Sequence, residues 1–203
     1  MKLEFAARRA RAEPRSAAPV IRLPVEVRAP GTKIEALVLR ARVQIEPWKR
    51  VAGALEKELL RELSGTQPLQ WADVGITLCS FAEATTFEIP ISCTYDMQVA
   101  ATKYLTAVVR GDIPVRVFFN GTAFFASENG FLVEPLSWDC ECEAMVPVQV
   151  WRDAMDACFA GQAWMRVDRA TFDALARYRV SRGFDNWDRT LEYLLAAQEE
   201  TIS

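Results

Sequence analysis

The chain of 203 residues contains no histidine. This absence excludes Ser-His-Asp and Cys-His catalysis, histidine metal sites and histidine proton relays. An enzyme built from this sequence would have to use carboxylates, lysine, tyrosine or thiolates. The sequence also shows no phosphate loop and no dinucleotide-binding fingerprint. We therefore expect no cofactor and favour a protein that is not an enzyme.

Long apolar runs are also missing. The longest, such as Val117-Phe118-Phe119, span a few residues, whereas a membrane-spanning helix needs about 20. Residues 1–15 alternate Arg with Ala and lack the apolar segment of a secretory signal. The five cysteines form no regular framework, which argues against a secreted disulfide scaffold. These features predict a cytoplasmic protein with reduced thiols and no membrane span.

Charge is distributed unevenly along the chain. Residues 1–50 hold 12 of the 24 Lys and Arg residues against 5 acids, while the whole chain carries a net charge of −3. A basic segment can bind nucleic acid or an acidic partner. Since no nucleic-acid-binding motif accompanies the charge, we expect the segment to pair with the acidic remainder of the chain instead.

The first half of the chain alternates as half-buried strands do. Leu23, Val25 and Val27 share one face, and residues 34–45 alternate in the same way. Pro24 lacks an N–H group, which predicts an edge strand, and the two segments could form an antiparallel hairpin. Helices are predicted from Pro47 to about residue 63 and from Met97 to Arg110.

The central stretch predicts a three-stranded meander. Asn120-Gly121 lies between two apolar runs, and this dipeptide is a strong hairpin signal; residues 128–130 would form the second turn. Beyond Pro147 three helices are predicted, the first with a face of Val148, Trp151, Met155 and Phe159. Asp168 would cap the second helix, and Asp185 or Asn186 the third.

This order of elements predicts an α+β fold: an antiparallel β-sandwich or bent sheet with an Asn-Gly hairpin meander, inserted helices and a helical C-terminal cap. The whole chain, residues 1–203, would form one domain. Its β-rich part would be residues 1–146 with two inserted helices, and the cap would be residues 147–199.

The chemistry-bearing cluster is Trp138 to Glu143. On a strand, Trp138, Cys140, Cys142 and Ala144 would share one face. Two cysteines supply only half of a tetrahedral metal site, so Cys140 and Cys142 are weak metal candidates and are better explained as buried apolar residues. Asp139, Glu141 and Glu143 would share the other face. They could bind a cation or a basic partner, or they could be a solvated face paired with basic residues of the chain.

Two further groups have simpler explanations. Tyr95, Asp96, Lys103 and Tyr104 could perform acid–base chemistry, but a helix cap, a helix surface and packed rings explain them equally well. Asn120-Gly121-Thr122 matches a glycosylation acceptor, and in a cytoplasmic chain we interpret it as a turn.

An ordered set of motifs resembles an uncharacterised bacterial family over nearly the whole chain. The motifs are Cys93-Thr94-Tyr95-Asp96, Lys103-Tyr104, Gly111-Asp112-Ile113-Pro114, Gly121-Thr122-Ala123-Phe124, Trp138-Asp139-x-Glu141, Pro147-Val148-x-Val150-Trp151, Ala163-Trp164-x-Arg166 and Trp187-Asp188. Members of this family tend to be encoded with high-affinity, actinobacterial-type uptake [NiFe]-hydrogenases. The resemblance supplies no functional residues, and Cys140 and Cys142 lie outside its pattern.

The resemblance implies an accessory protein that contacts a hydrogenase subunit or maturation factor through sheet edges and helix faces. Two alternatives stay open at this stage. The first is a metal- or redox-active protein that uses the cysteines. The second is a β-sandwich that binds a small ligand in an apolar pocket.

Overall fold

The computed structural model describes residues 3–62, 68–93, 99–127, 130–159 and 167–202. Their strands form two antiparallel sheets, and five α-helices and one 3-10 helix accompany them. The strands are β1 Glu4–Ala7, β2 Arg11–Ala12, β3 Val20–Ile34, β4 Ala36–Ile45, β5 Leu69–Leu78, β6 Phe81–Ser92, β7 Asp112–Ser127, β8 Gly130–Pro135 and β9 Glu141–Pro147. The helices are the 3-10 helix Pro47–Lys49, α1 Ala54–Glu62, α2 Val99–Ala107, α3 Val148–Phe159, α4 Arg169–Arg182 and α5 Trp187–Ile202.

In the first sheet, β3 is central. One edge of β3 pairs with β1 and β2, and its other edge pairs with β6. The prediction of an edge strand is therefore wrong. Pro24 is accommodated because it lies at the break between β1 and β2, where its carbonyl accepts a hydrogen bond from the Arg8 N–H. At that break no strand partner needs the N–H that proline lacks.

In the second sheet, the order is β5-β4-β7, and β8 and β9 both pair with the far edge of β7. The chain passes from β3 in the first sheet to β4 in the second across the single residue Glu35. The predicted hairpin between these two segments is therefore wrong. Because each strand alternates buried and exposed residues, both can contribute one apolar face to the same core.

The predicted hairpin at Asn120-Gly121 is also wrong. β7 runs through both residues as one strand and pairs with β4 from Val115 to Phe124. Glycine is needed here because the backbones approach closely: a Cβ on Gly121 would lie 2.0 Å from the Val38 carbonyl oxygen. Only the second hairpin of the meander is present, with Ser127 paired to Gly130. Its tip, residues 128–129, lies outside the described residues.

The core lies between the two sheets. Phe5 of β1 stacks on Phe119 of β7 with ring centroids 4.1 Å apart, and Phe87 of β6 meets Phe119 edge-on at 6.2 Å. Residues such as Leu23, Ile89 and Val117 are buried in the same cluster. The sandwich-like α+β fold is thus confirmed, and it is not a closed barrel.

The helices follow the predictions in part. α3 buries Val148, Trp151 and Met155, as its spacing predicts. The helix predicted from Pro47 is split into the 3-10 helix and α1. Leu55 is exposed while Glu56 is buried, because the Glu56 carboxylate turns inward to Arg50, 3.1 Å away. The predicted helix end near residue 63 lies outside the described residues.

The chain divides into two compact units, Met1–Gln162 and Ala163–Ser203. In the second unit, Asn186 caps α5 by accepting the Arg189 N–H, as predicted, whereas Asp168 occupies the N-cap position of α4 without a side-chain hydrogen bond. Rings at the helix ends bring α4 and α5 together, with Phe172 and Trp187 centroids 5.3 Å apart. That residues 147–199 form a cap within a single domain stays a prediction.

Candidate functional site

The segment that follows β8 turns before it enters β9. The Cys140 N–H donates to the Ser137 carbonyl, and the Cys140 carbonyl accepts from the Phe119 N–H, which returns the chain to the edge of β7. The predicted alternation holds from Cys140 to Glu143. It fails at Trp138, which sits in the turn and is 93% exposed. Strand periodicity cannot be extended into a turn, where successive side chains no longer alternate.

Cys140 and Cys142 both face inward and are buried. Burial raises the pKa of Cys142 to about 12, and the negative charge of Glu141 acts in the same direction. A hydrogen bond from the Ala7 backbone favours the thiolate and opposes this shift. Burial and the charge of Asp139 also raise the pKa of Cys140. Because the thiolate is the nucleophile and the metal ligand, these environments disfavour both roles. The described part of the chain contains no group of three or more His, Cys, Asp or Glu residues that could hold a metal ion.

The predicted acidic face is tied into an ion-pair network. Arg116 of β7 donates to Glu141 at 2.6 Å and to Glu143 at 2.8 Å on β9, and to Glu46 at 3.0 Å. The Lys49 ammonium lies 2.7 Å from both Glu143 and Glu46. The structure therefore brings two of the three predicted carboxylates together. Asp139 lies apart from them in the exposed turn.

The network shifts the ionisation of its members. The hydrogen bond from Lys49 lowers the pKa of Glu143, and the charges of Lys49 and Arg116 add to this effect. The hydrogen bonds that Lys49 donates to Glu143 and Glu46 raise the pKa of Lys49. The carboxylates are thus held in their charged form by cations of the same chain. This arrangement matches the expected pairing of the acidic face with basic residues of the chain.

The basic N-terminal segment shows the same pairing more widely. Nine of its Lys and Arg residues lie beside a carboxylate of this chain: Arg8, Arg11, Arg22, Arg28, Lys33, Arg40, Arg42, Lys49 and Arg50. Most of these pairs are exposed, so solvent screens them and each contributes little to stability. Arg8, Arg22, Arg28 and Lys33 pair with carboxylates inside residues 1–50, whereas Arg11, Arg40, Arg42, Lys49 and Arg50 lie beside carboxylates of the remainder. The expected pairing with the acidic remainder therefore holds for part of the segment.

The predicted group around Tyr104 is not assembled. Tyr104 is fully buried while Lys103 is exposed, because adjacent residues of a helix point in different directions. Tyr95 and Asp96 lie outside the described residues. Burial raises the pKa of Tyr104, and the neighbouring Arg50 guanidinium opposes this shift. Arg50 also donates to the Arg110 carbonyl at 2.9 Å and pairs with Glu56. Sequence reasoning missed this buried pair because both residues look like ordinary surface charges in a helix.

Two clefts flank Met145 on β9. One, of about 550 Å³, is lined by residues that include Arg8, Arg9, Asp112 and Glu143. The other, of about 250 Å³, is lined by residues that include Glu46, Lys49 and Glu143. Both carry several charged side chains, whereas small-molecule sites are mostly apolar with a few polar groups.

An apolar surface lies at the other end of the second sheet. The register puts Val133 of β8 opposite Phe124 of β7, and Phe124 is opposite Ala36 of β4. These side chains face outward, because the neighbouring Leu37 and Ala123 point into the core. The outer patch is defined here as four side chains on this face: Val38, Phe124, Phe131 and Val133.

The outer patch is open to solvent. Phe131 is 70% exposed, Val133 52% and Val38 43%, and β8 has no buried residue. Contiguous exposed apolar side chains mark interaction surfaces more often than isolated ones do. Alternation alone could not predict this patch, because the wrong hairpin at Asn120-Gly121 would have paired residues 122–126 with residues 113–119, whereas these residues pair with β4 and β8.

These features define a class: a two-sheet α+β sandwich-like protein with its acidic face neutralised internally and an exposed apolar patch at one end of a sheet. The chain belongs to the family described as a family of unknown function (DUF6084), whose model matches residues 1–203. The predicted membership of a family without an assigned function is thereby confirmed. No curated protein matches the chain.

Similar solved structures are distant. A late embryogenesis abundant (LEA) protein has 10% sequence identity and a TM-score of 0.34, with 72% of this chain and 71% of that chain covered. A β-glucosidase from Kluyveromyces marxianus has 12% identity and a TM-score of 0.25, and the match covers 72% of this chain but 15% of the glucosidase. Neither likeness carries an argument at these TM-scores. Among the described residues, no helix is long and apolar enough to cross a membrane.

Proposed function

We propose that this chain is a non-enzymatic accessory protein that acts by binding another protein. The observation that carries the proposal is the outer patch, in which Phe131, Val133 and Val38 remain exposed on a regular sheet face. Burying one such side chain fully against a partner contributes about 1.5–3 kcal/mol. A few side chains of this kind can anchor an interface when they lie close together.

The chemistry of the rest of the chain supports binding over catalysis. The buried thiols at Cys142 and Cys93 have pKa values raised to about 12 by burial, and Glu143 is held by Lys49 and Arg116. Among the candidate residues that the structure describes, the thiols of Cys140 and Cys142 are thus withdrawn from solvent, and the carboxylates of Glu141 and Glu143 are paired with cations. The exposed apolar side chains are left as the groups that gain most from contact with a partner.

The partner implied by the sequence resemblance is a subunit or maturation factor of an uptake [NiFe]-hydrogenase. Binding would bring the outer patch against an apolar surface of that partner and leave the charged end of the sheet at the rim. A rim of charges steers association and affects its rate more than its affinity. The complex should therefore form faster at low salt and persist at moderate salt.

Co-purification tests this proposal. A tagged chain expressed in its native host should recover a hydrogenase component under mild salt. The double variant Phe131→Ser/Val133→Ser should lose that component. Val180→Ser is a matched control, since Val180 is 73% exposed on α4, away from the patch in sequence, and it should retain the component. Recovery of no hydrogenase component with the unaltered chain would refute the hydrogenase assignment, and equal recovery with the double variant would refute the role of the outer patch.

A further inference from the structure

One edge of β8 presents backbone N–H and C=O groups that pair with no strand in the part of the chain that the structure describes. The Leu136 N–H donates to the Gly121 carbonyl across the β7–β8 pair, so even-numbered residues of β8 direct their backbone groups toward β7. Antiparallel strands alternate these directions residue by residue. The N–H and C=O groups of Phe131 and Val133 therefore point away from β7. No strand among the described residues pairs with that edge.

Proteins usually protect such an edge. The common devices are a very short strand, a charged residue (especially lysine) or a proline on the edge, a β-bulge, an inward-pointing charge and a covering element. β8 has the sequence Gly-Phe-Leu-Val-Glu-Pro, without lysine, and its register with β7 is uninterrupted. Pro135 lacks an N–H and limits pairing at one end. Glu134, which lies opposite the buried Ala123, and Pro135 protect the C-terminal end of the strand. From Phe131 to Val133 the edge is apolar and extended, and no strand among the described residues covers it.

We propose that the occupant of this edge is the β8 strand of a second copy of the chain, added antiparallel across a two-fold axis. In one register Phe131 faces Val133 of the second copy and Val133 faces Phe131. This register satisfies all four outward N–H and C=O groups on each strand. Leu132 then lies opposite Leu132 of the second copy on the axis.

Charge and side-chain pairing both fit this register. Glu134 of one copy lies opposite Gly130 of the other, so no like charges meet across the strands. Phe131 and Val133 form two symmetric aromatic–β-branched pairs, a kind of cross-strand pair that stabilises sheets. Because Leu132 lies opposite Leu132 of the second copy, the interface is isologous, with the same surface used by both copies. Two-fold symmetry of this kind is the commonest in homodimers.

The contact is small. It joins one strand of six residues from each copy, with three exposed apolar side chains on each, whereas specific and stable interfaces bury more than about 1,000 Å². A weak dimer that dissociates on dilution is therefore the expected form. The two outer patches would become one continuous apolar surface on the joined sheet, so this dimer leaves the proposed partner-binding face open.

Sedimentation of the purified full-length chain over a range of concentrations tests dimer formation. The unaltered chain should shift from monomer to dimer as concentration rises. Val133→Pro removes an outward N–H that β7 does not use, and it should raise the dissociation constant at least tenfold. Val133→Ala is the matched control, because it trims the same side chain but keeps the donor, and it should dimerise more strongly than Val133→Pro. A monomer at every concentration would overturn the proposal.

Disulfide trapping tests the register and does not depend on the folding of the proline variant. In a Cys79→Ser background, Leu132→Cys should form a disulfide-linked dimer on mild oxidation, since paired residues without mutual hydrogen bonds have Cα atoms about 4.5 Å apart. Phe131→Cys should crosslink far less, because residue 131 lies opposite residue 133 of the second copy and is only diagonal to residue 131 of that copy. Equal crosslinking of both variants, or none, would overturn the β8 pairing. Since neither test includes a hydrogenase component, their outcome is separate from that of the proposed function.

Discussion

Gly121 lies directly beneath the Val38 carbonyl, with room for a hydrogen atom and for nothing larger: a Cβ there would approach that oxygen to 2.0 Å. β7 can pair with the whole of β4, from Ala36 to Ile45, only because residue 121 has no side chain. The dipeptide Asn120-Gly121, which favours a turn in the sequence, therefore allows two strands to pack closely in the structure.

Gly121→Ala should destabilise the chain by roughly 1–3 kcal/mol or more, as overpacking does. Gly75→Ala is the matched control, because a Cβ on this β5 residue would meet nothing within 4 Å. The control should stay within about 1 kcal/mol of the unaltered chain. Urea unfolding measures both, and similar losses in the two variants would contradict the close approach.

Phe119→Ala should lower the free energy of unfolding by about 3–5 kcal/mol. The ring is 2% exposed and joins the two sheets through Phe5 and Phe87. Phe131→Ala changes the same residue type at a 70% exposed site and should cost less than about 0.5 kcal/mol. The two variants are compared by denaturant unfolding at low protein concentration, where self-association does not contribute. A small loss at Phe119 would argue against its place between the sheets.

Glu56→Gln should destabilise the chain by about 3–5 kcal/mol, because it leaves the largely buried Arg50 without its anionic partner. Glu62→Gln, on the same helix but exposed, should have little effect. The double variant Arg50→Met/Glu56→Leu removes both charges and should recover much of the loss, since apolar residues replace a buried ion pair at small cost. Thermal unfolding of the three variants measures this, and failure of the double variant to recover stability would count against a simple charge-pair role.

The cysteines should differ in their rate of reaction with a thiol reagent, according to whether they are exposed or buried. Cys79 is exposed, while Cys93, Cys140 and Cys142 are buried, and burial raises the pKa of Cys93 and Cys142 to about 12. At neutral pH a thiol reagent should modify Cys79 rapidly and these three only slowly. In denaturant all five should react at similar rates. Rapid modification of Cys142 in the folded chain would contradict its inward position on β9.

Stability should depend on pH through Glu143. Lys49 and Arg116 lower its pKa below the ordinary value of 4.5, so its contribution is fully present above about pH 4.5 and is lost as the pH falls through the lowered value. Glu143→Gln should therefore flatten the fall in stability below pH 4.5, while Glu58→Gln on α1 should leave it unchanged. Unfolding followed by circular dichroism between pH 3 and 7 measures the difference. Parallel pH profiles for all three proteins would refute the contribution of this ion pair.

Sequence periodicity determined the parts of the fold that depend on neighbouring residues. Alternation in β3, β4 and β9 assigned the inward and outward faces correctly, including Cys142 inward and Glu143 outward. The spacing of three and four residues between Val148, Trp151 and Met155 of α3 predicted which side of the helix is buried. Such patterns succeed because burial of one face is a local consequence of strand and helix geometry.

Tertiary structure alone decided which strands pair and which charges are buried. Asn120-Gly121 is extended because pairing with all of β4 outweighs the turn preference of two residues. Pro24 can lie in a central strand because it is opposite the gap between β1 and β2, where no ladder hydrogen bond needs its missing N–H. Glu56 is buried because Arg50 lies 3.1 Å away. Each outcome depends on contacts distant in sequence, whose energies no local pattern contains. The exposed edge of β8 is also decided by tertiary structure, since a strand can be identified as an edge strand only when the pairing of the other strands is known.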